Sequence, residues 1–246
     1  VPVEVLVVFA FVVFYKAGRL LGGHDESHAF RNAHDIVDLE RWLHLPTEQH
    51  LSTFILHNDA VTRVVNFFYA QVSFPATLGG LLWLLVFRPR AYPWAKWAFF
   101  AASTLALPIF FFYPLAPPRM LPELGFIDTG ALFGQSAYGN PAADKISNQF
   151  AAMPSLHCGW ALIIAVVFLA SGRTRWRWLW VLHPAVTFLV VAATSNHYWL
   201  DGIVGFALCG SCLWFTRGLF RRPAEPPSGA SPERPSRASR AAARAG

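Results

Sequence analysis

The chain has 246 residues, 54% of them hydrophobic and only 14% charged, and its mean hydropathy is +0.38. That is too apolar and too poor in charge for an ordinary soluble domain, and it predicts a single polytopic membrane domain. The net charge of +6 does not point to a nucleic-acid partner, because the basic residues sit in short links and the tail, not in an aromatic-interleaved patch.

In chain order, a first apolar span runs from about Val3 to Leu21. It lacks a basic leading segment and a small-residue cleavage site, so it reads as an anchor helix rather than a signal peptide. Gly22 to Asp59 is polar and rich in histidine. Ala29, Ala33, Ile36 and Leu43 recur there at helical spacing, which predicts an amphipathic helix lying at the membrane surface. His24, His28, His34, His44, His50 and His57 match no compact metal-ligand spacing and read as surface or interfacial residues. Span two covers about Ala60 to Phe87, with Asn58 or Asp59 as its N-cap, and span three runs from about Tyr92 to Tyr113. A loop from Leu115 to Ala152 leads into span four, about Pro154 to Ala170. Span five covers about Trp178 to Thr194 and span six about Tyr198 to Leu219.

The three cysteines all fall in apolar stretches and imply no disulfide framework. Cys209 and Cys212, near Gly205 and Gly210, read as small residues at a helix interface. From Arg221 onward Pro, Ser, Ala and Arg dominate, and the 221–246 tail is expected to be disordered, basic and cytoplasmic. The fold expectation is therefore all-α: a bundle of about six transmembrane helices over residues 1–220, with an interfacial amphipathic helix.

Orientation follows from the links. Arg88, Arg90 and Lys96 join spans two and three, and Arg173, Arg175 and Arg177 join four and five. Arg217, Arg221 and Arg222 close span six. All three clusters fall on one side, which the positive-inside tendency makes cytoplasmic. Only Lys16, Lys96 and Lys145 are lysines, an arginine bias that fits a GC-rich bacterial genome and hence a bacterial inner membrane. Arg119, Ser155, His157, His197 and Asp201 then converge at the opposite, extracytoplasmic, face.

Three fragments carry the chemistry. In Met153-Pro154-Ser155-Leu156-His157-Cys158-Gly159-Trp160, Pro154 suits a first helical position, and the following N–H groups make an anion site to which Ser155 adds a hydroxyl. His157 lies just inside that helix end and can exchange a proton near neutral pH. In Asn196-His197-Tyr198-Trp199-Leu200-Asp201, His197 and Asp201 are four apart on one helix face, a spacing that lets the carboxylate fix the His tautomer. In Tyr113-Pro114-Leu115-Ala116-Pro117-Pro118-Arg119, the prolines end the helix and leave Arg119 at the water boundary, where a guanidinium matches phosphate oxygens. Together they suggest phosphoryl transfer at a membrane face.

These fragments resemble the three signature motifs of the type-2 phosphatidic acid phosphatase superfamily. AAMPSLH and APPRM are most similar to its inositol phosphorylceramide synthase branch and that branch's bacterial relatives. The resemblance covers about Tyr113 to Gly205 and implies a six-helix membrane bundle. It also implies that His197 is the nucleophile, Asp201 its orienting partner and His157 the general acid, with Arg119, Ser155 and the Gly159 region holding phosphate. It requires no cofactor and no metal; the partners it implies are a lipid phosphate substrate and the membrane. Two positions depart from the superfamily pattern: Phe112 stands where a Lys is expected, and Val191 where an Arg is. Lys16 and Arg19, near the outer end of span one, are candidate substitutes; snorkelling to the interface is the other reading of them.

The expected chemistry is attack by His197 on a lipid-linked phosphorus, with water or an alcohol as final acceptor. The competing reading is a protein that binds or transports a lipid phosphate without turning it over. A transporter would show paired broken helices in both halves, and only His183-Pro184 resembles one. Donor lipid, acceptor and oligomeric state are not encoded in any motif.

Overall fold

The computed structural model describes residues 2–20, 25–135 and 148–220. Leu21, Gly22, His24, Lys145 and the 221–246 tail expected to be disordered lie outside the described residues.

The described chain is helical, and its one isolated β-bridge pairs Leu115 with Ala151. In order come α1 (Pro2–Leu20), α2 (Glu26–Trp42), α3 (Glu48–Leu56), α4 (Asp59–Phe67), α5 (Ser73–Phe87) and α6 (Tyr92–Phe112). After the loop follow α7 (Thr129–Leu132), α8 (Leu156–Ser171), α9 (Leu182–Ala193) and α10 (Trp199–Phe220). Among the described residues four helical stretches are long and apolar enough to cross a membrane: Asp59–Phe87, Tyr92–Phe112, Arg175–Ala193 and Trp199–Phe220. The first and fourth expected spans are helices too, but less clear-cut ones. α1 carries Glu4, Lys16 and Arg19, and the 16 residues of α8 rise only about 24 Å against a core of roughly 30 Å.

Local chemistry explains the boundaries. Asp25 caps α2 by accepting the His28 N–H at 3.0 Å, and Asn58 caps α4 by accepting those of Ala60 and Val61. Ala29, Ala33, Ile36, Val37 and Glu40 form the one buried face of α2, the amphipathic pattern that its sequence predicts. Leu43 is not part of that face; it lies past the helix end and is exposed. Span two is not uniform either: Phe68–Val72 is π-helical. Pro75 has no N–H for the Gln71 carbonyl and its ring crowds that group, so the chain widens just before it.

Span five likewise divides, with Arg175–Val181 wound as 3-10 helix before α9. Pro184 denies a partner to the Trp180 carbonyl, which favours the tighter turn ahead of it. Span four starts two residues later than its sequence suggests. Ser155 gives its N–H to the Asp201 carbonyl (2.9 Å) and its carbonyl to Gly159 N–H (3.1 Å), so Ser155 is the half-in residue and Pro154 lies outside.

α8 lies at the centre, packed against α5, α6, α9 and α10. Trp160 ties it to α6 through Nε1–H to Ser103 Oγ at 3.1 Å in the core. At the α8/α10 crossing the backbones touch. A Cβ on Gly205 would collide with the Ser155 carbonyl, and one on Gly159 with Cys209 Sγ, so neither position accepts a side chain. Cys158, Cys209 and Cys212 are free and buried there, as helix-interface residues.

A second apolar cluster lies around α2: Ala29, Ala33, Ile36 and Val37 meet Leu115, Ala116, Leu121, Ala152 and Tyr198. Leu115 N–H bonds the Phe150 carbonyl at 2.8 Å, and the Tyr198 hydroxyl donates to the Ala116 carbonyl at 3.0 Å. The interfacial helix thus clamps three distant segments, 115–119, 151–155 and 194–201, against one another.

Candidate active site

The turn between α9 and α10 positions the first imidazole. Ser195 takes a left-handed backbone (φ 54°), and the N–H groups of Asn196 and His197 both fold back onto the Val191 carbonyl at 3.1 and 3.2 Å. His197 is therefore not on the helix face that its spacing predicts; it precedes α10. The pairing with Asp201 forms even so, because Asp201 in the first turn reaches back. Its Oδ2 lies 3.2 Å from His197 Nδ1 and accepts Tyr198 N–H at 3.0 Å, a capping-box geometry. Asp201 is fully buried.

Two further carboxyls complete that helix end. Glu48 accepts Trp199 N–H at 2.9 Å and Glu40 accepts Leu200 N–H at 2.8 Å. Both are buried, and burial pushes both carboxyls above the ordinary range. The first N–H groups of a helix have no internal partner, and here three carboxyl side chains take them. The sequence reading missed Glu40 and Glu48; an acidic residue recurring on the buried face of α2 is the one available signal.

His157 is the second residue of α8 and is half-buried. Its ring centroid lies 5.7 Å from that of His197, at 60° between planes. Tyr69, from the π-helical turn, packs on its other side at 4.9 Å. A pocket of about 210 Å³ opens between them, lined by both histidines, Tyr69, Trp160, Lys16 and Arg19. Ser155 is buried beside it, and its Oγ makes no hydrogen bond among the described residues. Gly159 faces α10 and serves the helix crossing.

Arg119 lies behind His197. Its backbone N–H donates to the Ser195 carbonyl (2.8 Å), Nη1 to Asn196 Oδ1 (2.7 Å) and Nη2 to Gln149 Oε1 (3.2 Å). Its Nε lies 3.8 Å from Asp128 Oδ2. It is buried and does not line the two-histidine pocket. Its partners Asn196, Gln149 and Asp128 were not singled out in the sequence, since none carries a recognisable spacing.

None of the described histidines between 25 and 59 lines this pocket. His28 pairs with Asp25 at 2.6 Å, while His34 and His57 bond the backbone one turn back on their own helices. No group of three metal-binding side chains occurs among the described residues.

Asp201→Asn is expected to lower any His197-dependent turnover by about 10²–10⁴-fold. Asp201 Oδ2 serves both His197 Nδ1 and Tyr198 N–H, so an Asn oxygen in that place keeps both contacts but removes the negative charge that supports a positively charged His197 ring. The melting temperature should therefore stay near the parent's. Steady-state rates beside thermal unfolding check both halves of this expectation.

The family model of the PAP2 superfamily matches residues 34–215, from α2 to α10. The chain belongs to that superfamily. Among curated proteins it is similar to the inositol phosphorylceramide synthase catalytic subunit aur1 of Schizosaccharomyces pombe. The two are 33% identical over 98 residues, 39% of this chain and 22% of that protein. It is also similar to the phosphoinositol dihydroceramide synthase of Bacteroides thetaiotaomicron, at 27% identity over 194 residues, 68% of this chain and 60% of that protein. The chain thus spans less than two thirds of either relative's length. No solved structure matches it. The PAP2 match includes all three motif fragments and both pocket histidines, and it leaves out α1.

Proposed function

We propose that this PAP2 superfamily member is an integral membrane phosphotransferase that works through a phosphohistidine. It would take a phosphoryl or phosphoinositol-type group from a lipid donor and pass it to an alcohol, with water as the simplest acceptor. The observation that carries this reading is the Asp201-held His197 facing His157 across one pocket. The similarity to an inositol phosphorylceramide synthase subunit and to a phosphoinositol dihydroceramide synthase supports a phosphoinositol-type group as the one transferred.

In the first step the His197 nitrogen not held by Asp201 donates its electron pair to phosphorus. The bond from phosphorus to the lipid oxygen breaks, and that oxygen takes a proton from His157. In the second step the acceptor hydroxyl gives its proton back to His157 and attacks phosphorus, and the N–P bond breaks. Ser155 and the N-terminus of α8 are assigned to the charge on the equatorial oxygens, and Arg119, outside the pocket wall, is assigned to the same charge at longer range from behind His197. Protein groups provide every charge this scheme uses.

The test is purified protein with phosphatidylinositol, phosphatidic acid or polyprenyl pyrophosphate, following free phosphate and new phospholipid separately. Release or transfer from at least one donor is expected, and it should persist in EDTA. A folded protein inert toward all three, or one that needs a divalent ion, rejects the scheme.

The active site is assigned to the extracytoplasmic face. Arg88, Arg90, Arg173, Arg175 and Arg177 all lie at the helix ends remote from the motif fragments, which supports this side. A cysteine replacing exposed Ala131 should react with an impermeant thiol reagent in intact cells, whereas one replacing exposed Thr174 should not. The reverse labelling pattern rejects this orientation.

A further inference from the structure

The positions where the resemblance would put two more cations carry Phe112, 80% exposed on the outside of α6, and Val191, buried in apolar surroundings. The cations that line the two-histidine pocket come instead from α1, which lies outside the family match. Lys16 and Arg19 are three apart and so share one helix face. Arg19 Nη2 donates to the Asn148 carbonyl at 3.1 Å, and Asn148 Nδ2 donates back to the Arg19 carbonyl at the same distance. This reciprocal pair fastens the end of α1 to the segment that leads into α8. Among the described residues that line the pocket there is no carboxylate, and Lys16 and Arg19 carry its formal charge.

The pocket continues along α1. Val12 belongs both to it and to a groove of about 280 Å³ between α1 and α5, walled by Val5, Val8, Leu78, Leu81 and Leu85. From Val5 to Arg19 is about 21 Å of helix, more than the roughly 15 Å half-thickness of a bilayer core. A cationic head pocket at one end of α1, next to an apolar groove along Val5 to Val12 of about 11 Å, complements a phosphate that carries a hydrocarbon chain.

We propose that α1 is the donor-binding helix, with Lys16 and Arg19 holding the phosphate oxygens of a lipid phosphate and the α1/α5 groove taking its chain. This rests on the two-histidine pocket being the phosphate site. Two basic side chains on the phosphate would also stabilise charge developing there during transfer. Lys16 and Arg19 thereby replace the cations missing at positions 112 and 191.

The test uses the full chain in detergent and reads binding, not turnover. Inorganic vanadate serves as the phosphate mimic and is titrated by calorimetry. Lys16→Gln combined with Arg19→Gln should weaken vanadate binding at least 10-fold, and Lys16→Arg with Arg19→Lys should recover part of the loss. Lys16 is exposed, so Lys16→Gln alone should stay folded and still weaken binding several-fold. Unchanged affinity in the charge-removing variants, or no vanadate binding by the parent, overturns the cation assignment.

A second arm separates lipid from free phosphate. Dioleoyl phosphatidic acid and glycerol 3-phosphate are compared as competitors of vanadate, in the parent and in Val8→Trp, which fills the groove. The variant should lose at least 10-fold in affinity for phosphatidic acid and none for glycerol 3-phosphate. Equal effects on both, or none, remove the chain from the groove. If vanadate binds through Lys16 and Arg19 but no lipid is turned over, the phosphotransferase reading fails and the α1 site stands.

Discussion

His197→Ala is expected to abolish both lipid turnover and formation of an acid-labile phosphoenzyme. The reason is positional. His197 is the imidazole whose Nδ1 is held by a buried carboxylate, and this leaves its other nitrogen basic and aimed away from Asp201. His157 lacks such a partner among the hydrogen bonds of the described residues, so it is poorly placed to take over attack. The substitution removes a 5% exposed ring next to a fully buried Asp201. Some loss of stability is therefore expected, and His197→Gln serves as a second variant that preserves a polar group. Rapid-quench labelling with a radioactive lipid phosphate would detect the phosphoenzyme in the parent and none in either variant. Turnover at the parent rate by folded His197→Ala would remove it as nucleophile.

His157→Ala should behave differently, and the difference depends on the leaving group. An alkoxide leaving a lipid phosphate is a strong base and needs a proton as the bond breaks. Without His157 the rate should fall by about 10²–10⁴-fold. An aryl phosphate has a much better leaving group and needs little help, so it should recover a large part of that loss in His157→Ala. It should recover nothing in His197→Ala, where bond formation to phosphorus is itself lost. His157 also packs against Tyr69, so the comparison is made on protein whose unfolding transition matches the parent's. Equal defects toward lipid and aryl substrates would exclude His157 as general acid and leave it a packing or binding role.

Much of this was readable from periodicity. Apolar runs bounded by Arg-rich links mark the helices to within a few residues, since spans need length and composition and little else. The α2 face at Ala29, Ala33 and Ile36 followed from helical spacing alone, because one side of that helix meets protein and the other does not. Errors came where a proline alters the backbone. The π turn before Pro75, the 3-10 turn before Pro184 and the late start of α8 after Pro154 are departures from even winding, which a count of apolar residues does not register.

The same division applies to the site. Residue type and spacing determined by themselves that His197 and Asp201 would pair, and helix count alone put His157 at the same end of the bundle, where its ring lies 5.7 Å from that of His197. Four residues is a distance the local backbone can close, whether as a helix face or, as here, as a cap. Which other groups meet them was decided by tertiary structure alone. Glu40 and Glu48 reach the α10 terminus from more than 150 residues away, and Arg19 is fastened to Asn148, 129 residues on. Arg119 is engaged by Asn196, Gln149 and Asp128, while Lys16 and Arg19 line the pocket. Such contacts depend on how α1, α2 and the 115–152 loop pack over the bundle. That packing is set by buried apolar surface and backbone hydrogen bonds between distant segments, neither of which leaves a pattern in neighbouring residues.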